Sequence, residues 1–152
     1  MSTRNAEIYT KYASELVGFA TVLVGPSAAE DVVAEAVTRA LRSPAWPSVE
    51  HPRAYLMRAT LNQALQTHRT NLRRARRERF LVSDSDGDDA SHVRIEVVQA
   101  MRRLTTRQRA VVYFTYWHEL QCREVAELMG MSPRTVEREL RTARRHLEVL
   151  LS

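Results

Sequence analysis

The chain has 152 residues, is 44% apolar and carries a formal net charge of +5, so it has room for one domain or two small ones with packed cores. Its single cysteine, Cys122, excludes an intramolecular disulfide framework and a thiolate metal cage, and it fits a reducing cytoplasm. The longest apolar run, Leu16 to Val24, is too short for a membrane span and follows no basic leader, so neither membrane insertion nor export is expected.

Four glycines, five prolines and few alternating apolar runs predict an all-α protein. The first predicted helix runs from Ile8 to Val24, with Tyr12, Leu16, Phe19 and Leu23 on one side, and Gly25-Pro26 breaks it. Ser27 and Glu30 have capping-box spacing and predict the start of a second helix that reaches about Arg42. Val33, Ala36, Val37 and Ala40 form its inner face, while Asp31, Glu35, Thr38 and Arg42 form the opposite, exposed stripe. Ser43 to Pro52 holds three prolines and Trp46 and is predicted as a loop. A long helix follows from about Arg53 to Arg79, with Leu56, Ala59, Leu61, Leu65 and Leu72 as its apolar line.

Charge divides the chain further. Residues 52–80 hold eight arginines and one glutamate, whereas residues 81–98 hold one arginine and five acids. The polar, acidic stretch from Val82 to Ser91 has no apolar anchor and predicts a flexible linker. It lacks the closing glutamate of a calcium loop, so no metal is expected there. A helix from about His92 to Arg103 resumes the fold. Thr105 and Gln108 then form another capping-box pair, which opens a helix to about Trp117 with Val111, Val112 and Phe114 inside.

The last segment is the most informative. Val125, Leu128 and Met129 give a short helix its apolar face, and Ala126 leaves room for a second helix to approach. Gly130 suits the position past the helix end, Ser132 the next N-cap, and Pro133 the first helical position. Val136, Leu140, Ala143 and Leu147 face inward on the second helix, while Arg134, Arg138, Arg141 and Arg145 share a stripe opposite Val136. This is a helix-turn-helix pattern. Its outward guanidinium groups can reach phosphates and guanine edges in a major groove, and Glu137 can accept a hydrogen bond from a cytosine amino group. The competing account of the stripe is a solvated charged face.

From Leu104 to Leu140 the chain resembles region 4 of the extracytoplasmic-function class of bacterial sigma factors, including its promoter-reading helix-turn-helix. Ala29 to Val37 resembles the region 2 helix that docks on the polymerase clamp. Pro52 to Leu65 resembles the region 2 helix that opens and reads the −10 element. The resemblance implies a region 2-like domain at 1–80, a flexible acidic linker at 81–94 and a region 4-like domain at 95–152. It implies a protein that binds core RNA polymerase and promoter DNA, recognises −35 and −10 elements, and has an anti-sigma factor as a further partner.

On that reading Ser132, Arg134, Thr135, Glu137, Arg138, Arg141 and Arg145 contact the −35 element. Trp46, Arg53, Tyr55, Arg58, Asn62, Gln66, Arg69 and Arg73 hold and melt the −10 element. Melting needs aromatic surfaces to replace lost stacking and cations for the separated backbone. Tyr55 stands where the family usually has tryptophan, and the loop from Trp46 to Pro52 matches the one that captures a flipped base. For Trp46 and Tyr55, core packing is the open alternative. Asp31 and Glu35, with Thr38 and Arg42, match the clamp-docking face. Ala34, Met57 and Gln66 depart from the family's usual residues, so no promoter motif is carried over.

The rival reading is a LuxR-like regulator that binds duplex DNA without core polymerase. It shares the Thr105-x-Arg107 start and the turn, but leaves the basic 53–79 helix and the acid-faced 31–42 helix without a role. An enzyme is not expected. His118 and Cys122 are separated by a junction that breaks the helix, and no orienting carboxylate accompanies them. The five histidines lack metal-ligand spacing, so neither a metal nor another cofactor is expected.

Overall fold

The structure, a computed structural model, describes residues 2–77 and 99–151. The predicted linker at 81–94 and the start of the helix expected from His92 lie outside the described residues, as do the side chains of Leu72 and Arg73. Among the described residues every regular element is helical.

Helix α1 spans Thr3–Val24. It begins five residues before the expected Ile8 because Ser2 caps it, its Oγ accepting the Asn5 N–H at 3.2 Å. Leu16, Phe19 and Leu23 form its buried line. The chain leaves α1 through Gly25 at φ 88°, a backbone region glycine enters without a steric penalty. Helix α2, Pro26–Arg42, starts at once, so the Ser27–Glu30 capping box does not form. The reason is Pro26. It takes the first helical position, which leaves Ser27 inside the first turn rather than ahead of it. The inner face of α2 includes Ala29 and Val32 besides the four expected residues.

A short 3₁₀ turn at Trp46–Ser48 lies within the predicted loop and leads to helix α3, Pro52–Arg77. Leu56, Met57, Leu61 and Ala64 are buried along α3, and the buried Thr60 hydroxyl donates to the Leu56 carbonyl at 2.8 Å. Helices α1, α2 and α3 pack together as a three-helix group.

After a helical turn at 99–102, the Thr105–Gln108 capping box forms as its spacing predicts. Each backbone N–H meets the other's side-chain oxygen at 3.1 Å. Thr105→Ala should therefore lower stability by about 0.5–2 kcal/mol, measured by thermal denaturation. Helix α4, Thr106–Val112, then widens into a π turn at Tyr113–Trp117. The Leu120 N–H returns to the Phe114 carbonyl at 3.0 Å, and Glu119 has φ 53°. Those constraints end the helix before His118–Cys122, as the junction predicts.

Helix α5, Cys122–Met129, has a Gln121–Glu124 capping box that the sequence reading missed. Gly130, at φ 71° and ψ 37°, closes it in the left-handed conformation. Ser132 opens helix α6, Pro133–Leu151, its Oγ accepting the Thr135 N–H at 3.1 Å. Val136, Leu140 and Ala143 pack inward against α5 and α4.

The two helical groups pack against each other. One apolar cluster runs from Leu16, Phe19 and Leu23 through Leu56 and Met57 to Val111, Phe114, Val125 and Val136. Phe19 is fully buried, its ring 4.9 Å from Phe114 and 5.2 Å from Tyr113.

Candidate nucleic-acid interface

Helix α6 presents Arg134, Arg138, Arg141 and Arg145 to solvent, opposite buried Val136, Leu140 and Ala143. The stripe drawn from spacing is therefore an outward face. Ser132 and Thr135 bond each other's hydroxyls at 2.8 Å besides forming the cap, so both help fix the helix start. Glu137 is exposed beside them.

Arg144 joins this face although it lies off the stripe. It donates to the Tyr116 hydroxyl at 2.7 Å, with its guanidinium 5.7 Å from that ring's centre. Arg141, Arg144 and Arg145 line a cleft of 430 Å³ that also meets Cys122, Glu137, Leu140 and Glu148. The exposed aromatics Tyr116 and Trp117 lie at the π turn, where helical periodicity offered no warning of them.

The second basic surface is a face of α3. Arg58, Asn62, Gln66 and Arg69 recur at helical spacing and all are exposed. Two of them have protein partners. Gln66 accepts a hydrogen bond from Arg39 of α2 at 2.9 Å, and Arg58 donates to the Glu127 carbonyl at 2.7 Å and to the Leu128 carbonyl at 3.4 Å. Arg53 is turned toward α1, where its Nε meets the Glu15 carboxylate oxygens at 2.9 and 3.0 Å. The hydrogen bond to Glu15 raises its pKa above the usual guanidinium value, against an opposing effect of burial. Burial raises the Tyr113 phenol, with Glu15 adding to the shift and Arg53 opposing it.

Trp46 corrects one expectation. It is 4% exposed, donates through Nε1 to Asn5 Oδ1 at 2.9 Å, and meets Tyr55 edge-on at 5.7 Å. In this arrangement core packing describes it, and no base can reach its ring without that pocket opening. Tyr55 is half-buried against it. Arg73 lies beyond the described side chains.

On α2, Asp31, Glu35, Thr38 and Arg42 are all exposed, and Glu35 lies 3.6 Å from Arg39. Arg109 was missed by the sequence reading. Burial lowers its pKa, its Nη2 donates to Thr106 Oγ1 at 3.2 Å, and its Nε has no partner among the described residues. Among the described residues no His, Cys, Asp and Glu cluster could hold a metal, and no helix is long and apolar enough to cross a membrane.

A capped helix-turn-helix with an outward guanidinium stripe, joined to a second cationic helix and an acid-bearing helix, defines a DNA-binding transcription protein. Comparison with known proteins narrows the class. A family model described as sigma-70 region 2 matches residues 8–78, and one described as sigma-70 region 4 matches residues 94–147. A solved structure described as the sigma factor RpoE with the anti-sigma factor NepR, from Bartonella quintana, is also similar. Its TM-score is 0.74 at 20% identity, covering 99% of this chain and 98% of that one. That likeness concerns the fold. No curated protein matches in sequence. The chain belongs to the sigma-70 family, the sigma factors that bring core RNA polymerase to promoters.

Proposed function

We propose that this sigma factor divides its work among three faces. The α6 face, with Arg134, Glu137, Arg138, Arg141 and Arg145 presented by the Ser132–Thr135 cap, reads the −35 element. The α3 face, with Arg58, Asn62, Gln66 and Arg69, together with Arg53, Tyr55 and Arg73, holds the opened −10 element. The α2 face, with Asp31, Glu35, Thr38 and Arg42, docks on core polymerase. Residues 1–80 and 95–152 are the two functional modules, and 81–94 is their linker. The protein works in the cytoplasm, performs no catalysis and requires no cofactor. The similar solved structure holds a sigma factor with an anti-sigma factor, which supports an anti-sigma partner for this chain as well.

The observation that carries this reading is the α6 stripe. Four exposed arginines lie directly opposite a buried apolar line, on the second helix of a helix-turn-helix. The deciding experiment is promoter-specific transcription with purified core polymerase. A LuxR-like regulator would bind the same duplex without supporting initiation.

The α2 face makes its own prediction. One exposed ion pair is worth about 0.2–1 kcal/mol, so Glu35→Lys alone should weaken core binding less than about sixfold. Asp31→Lys with Glu35→Lys should act chiefly by slowing association, and more so at low salt, as stopped-flow mixing with core polymerase can show.

A further inference from the structure

We propose that Arg39 is a specificity-determining residue: it orients the Gln66 amide so that α3 reads a keto base, thymine or guanine, at one position of the opened strand. This rests on the −10 role proposed above for that face of α3. Arg39 lies on α2, exposed between Glu35 and Arg42. Its Nη1 donates to Gln66 Oε1 at 2.9 Å, and its Nε lies 3.6 Å from Glu35, one turn earlier on the same helix. The guanidinium is thus steadied from α2 while it reaches across to α3. Gln66 is exposed as well, so the pair is open to a bound strand.

Chemistry fixes the direction of that hydrogen bond. A guanidinium has N–H donors and no acceptor, whereas a carboxamide accepts at its oxygen and donates at its nitrogen. Reversing the amide would set donor against donor, so Arg39 keeps the Gln66 oxygen toward α2. The NH2 group is then the end turned away from α2. An unrestrained glutamine pairs with adenine, using oxygen and nitrogen side by side. Gln66 lacks that option while Arg39 holds its oxygen, and it offers a donor alone. Thymine O4 and guanine O6 answer a donor, whereas cytosine and adenine carry an amino group at the same place. In water this exposed bond is weak, but a bound strand excludes water from it and strengthens it.

The test uses the full sigma factor with core polymerase on promoters randomised across the −10 element, each marked by a barcode in its transcript. The parent should favour thymine or guanine at one position by about two- to tenfold, the worth of one hydrogen bond. Arg39→Ala frees the amide to turn, so adenine at that position should rise to match them while other positions stay as they were. Arg39→Lys, which also donates and cannot accept, should keep most of the parent preference. Gln66→Glu should reverse the preference toward adenine or cytosine, because a carboxylate only accepts.

A folding defect or weaker core binding lowers all promoters together and cannot move a preference between bases. If Arg39→Ala keeps the parent preference, whether or not it lowers initiation from every promoter alike, the proposal is overturned. Gln66→Glu with an unaltered preference overturns it too. The −10 role of α3 is judged separately, by whether Arg58→Ala and Asn62→Ala impair promoter melting with core polymerase.

Discussion

Phe19→Ala should melt about 6–20 °C below the parent chain, the largest stability loss expected of any single substitution here. Truncating a buried phenylalanine costs about 3–5 kcal/mol, and in a chain of this size each kcal/mol lowers the midpoint by about 2–4 °C. Phe19 sits at the top of that range for a structural reason. Its ring is fully buried and contacts both Tyr113 and Phe114, so removing it opens a cavity shared by the α1–α3 group and by α4 with its π turn. The surroundings can collapse only if both groups move, and partial relaxation is what sets the cost of a cavity. Because one apolar cluster spans both groups, the parent should unfold in one calorimetric transition. Phe19→Ala should broaden or split that transition. A mutant that melts within about 2 °C of the parent would show that the shared core contributes little to stability.

Local structure was legible at several places where a capping or turn residue stands next to an apolar period. Thr105–Gln108, the Gly130–Ser132–Pro133 punctuation and the arginine stripe of α6 all fall where those rules place them, because each is decided within one helical turn. Ser27–Glu30 failed for an equally local reason: the neighbouring Pro26 is the stronger start signal, and the helix begins there. Two local caps were missed, at Ser2 and at Gln121–Glu124, and the other missed features are non-local. Neither the spacing of Arg58 nor that of Glu127 announces that they lie 69 positions apart in sequence yet share a hydrogen bond. Trp46 had two readings because an aromatic in a proline-rich loop suits both base capture and burial. Only the distant Asn5 that accepts its N–H distinguishes them. The same holds for Arg53, whose partner Glu15 lies on another helix.

Arg138→Ala and Arg145→Ala should fail in different ways, although both residues belong to one exposed stripe. Along α6 the span from Arg134 to Arg145 is about 17 Å at 1.5 Å per residue, longer than the major groove is deep. A recognition helix enters that groove by its N-terminal turns, which places Arg134 and Arg138 at base edges and leaves Arg145 to the flanking backbone. Loss of Arg138 should cost about 1–3 kcal/mol on the preferred −35 sequence and relax discrimination at one base pair. Loss of Arg145 should weaken all sequences alike and reduce the slope of log affinity against log salt by about 0.9. Neither change disturbs the buried face formed by Val136, Leu140 and Ala143, so thermal stability should stay within about 0.5 kcal/mol of the parent. The measurement is a salt titration of polymerase-bound sigma factor on matched and single-mismatch −35 duplexes. If Arg138→Ala shifts every duplex equally and lowers the salt slope, that arginine is a phosphate contact, and base reading must come from Arg134 or Glu137 instead.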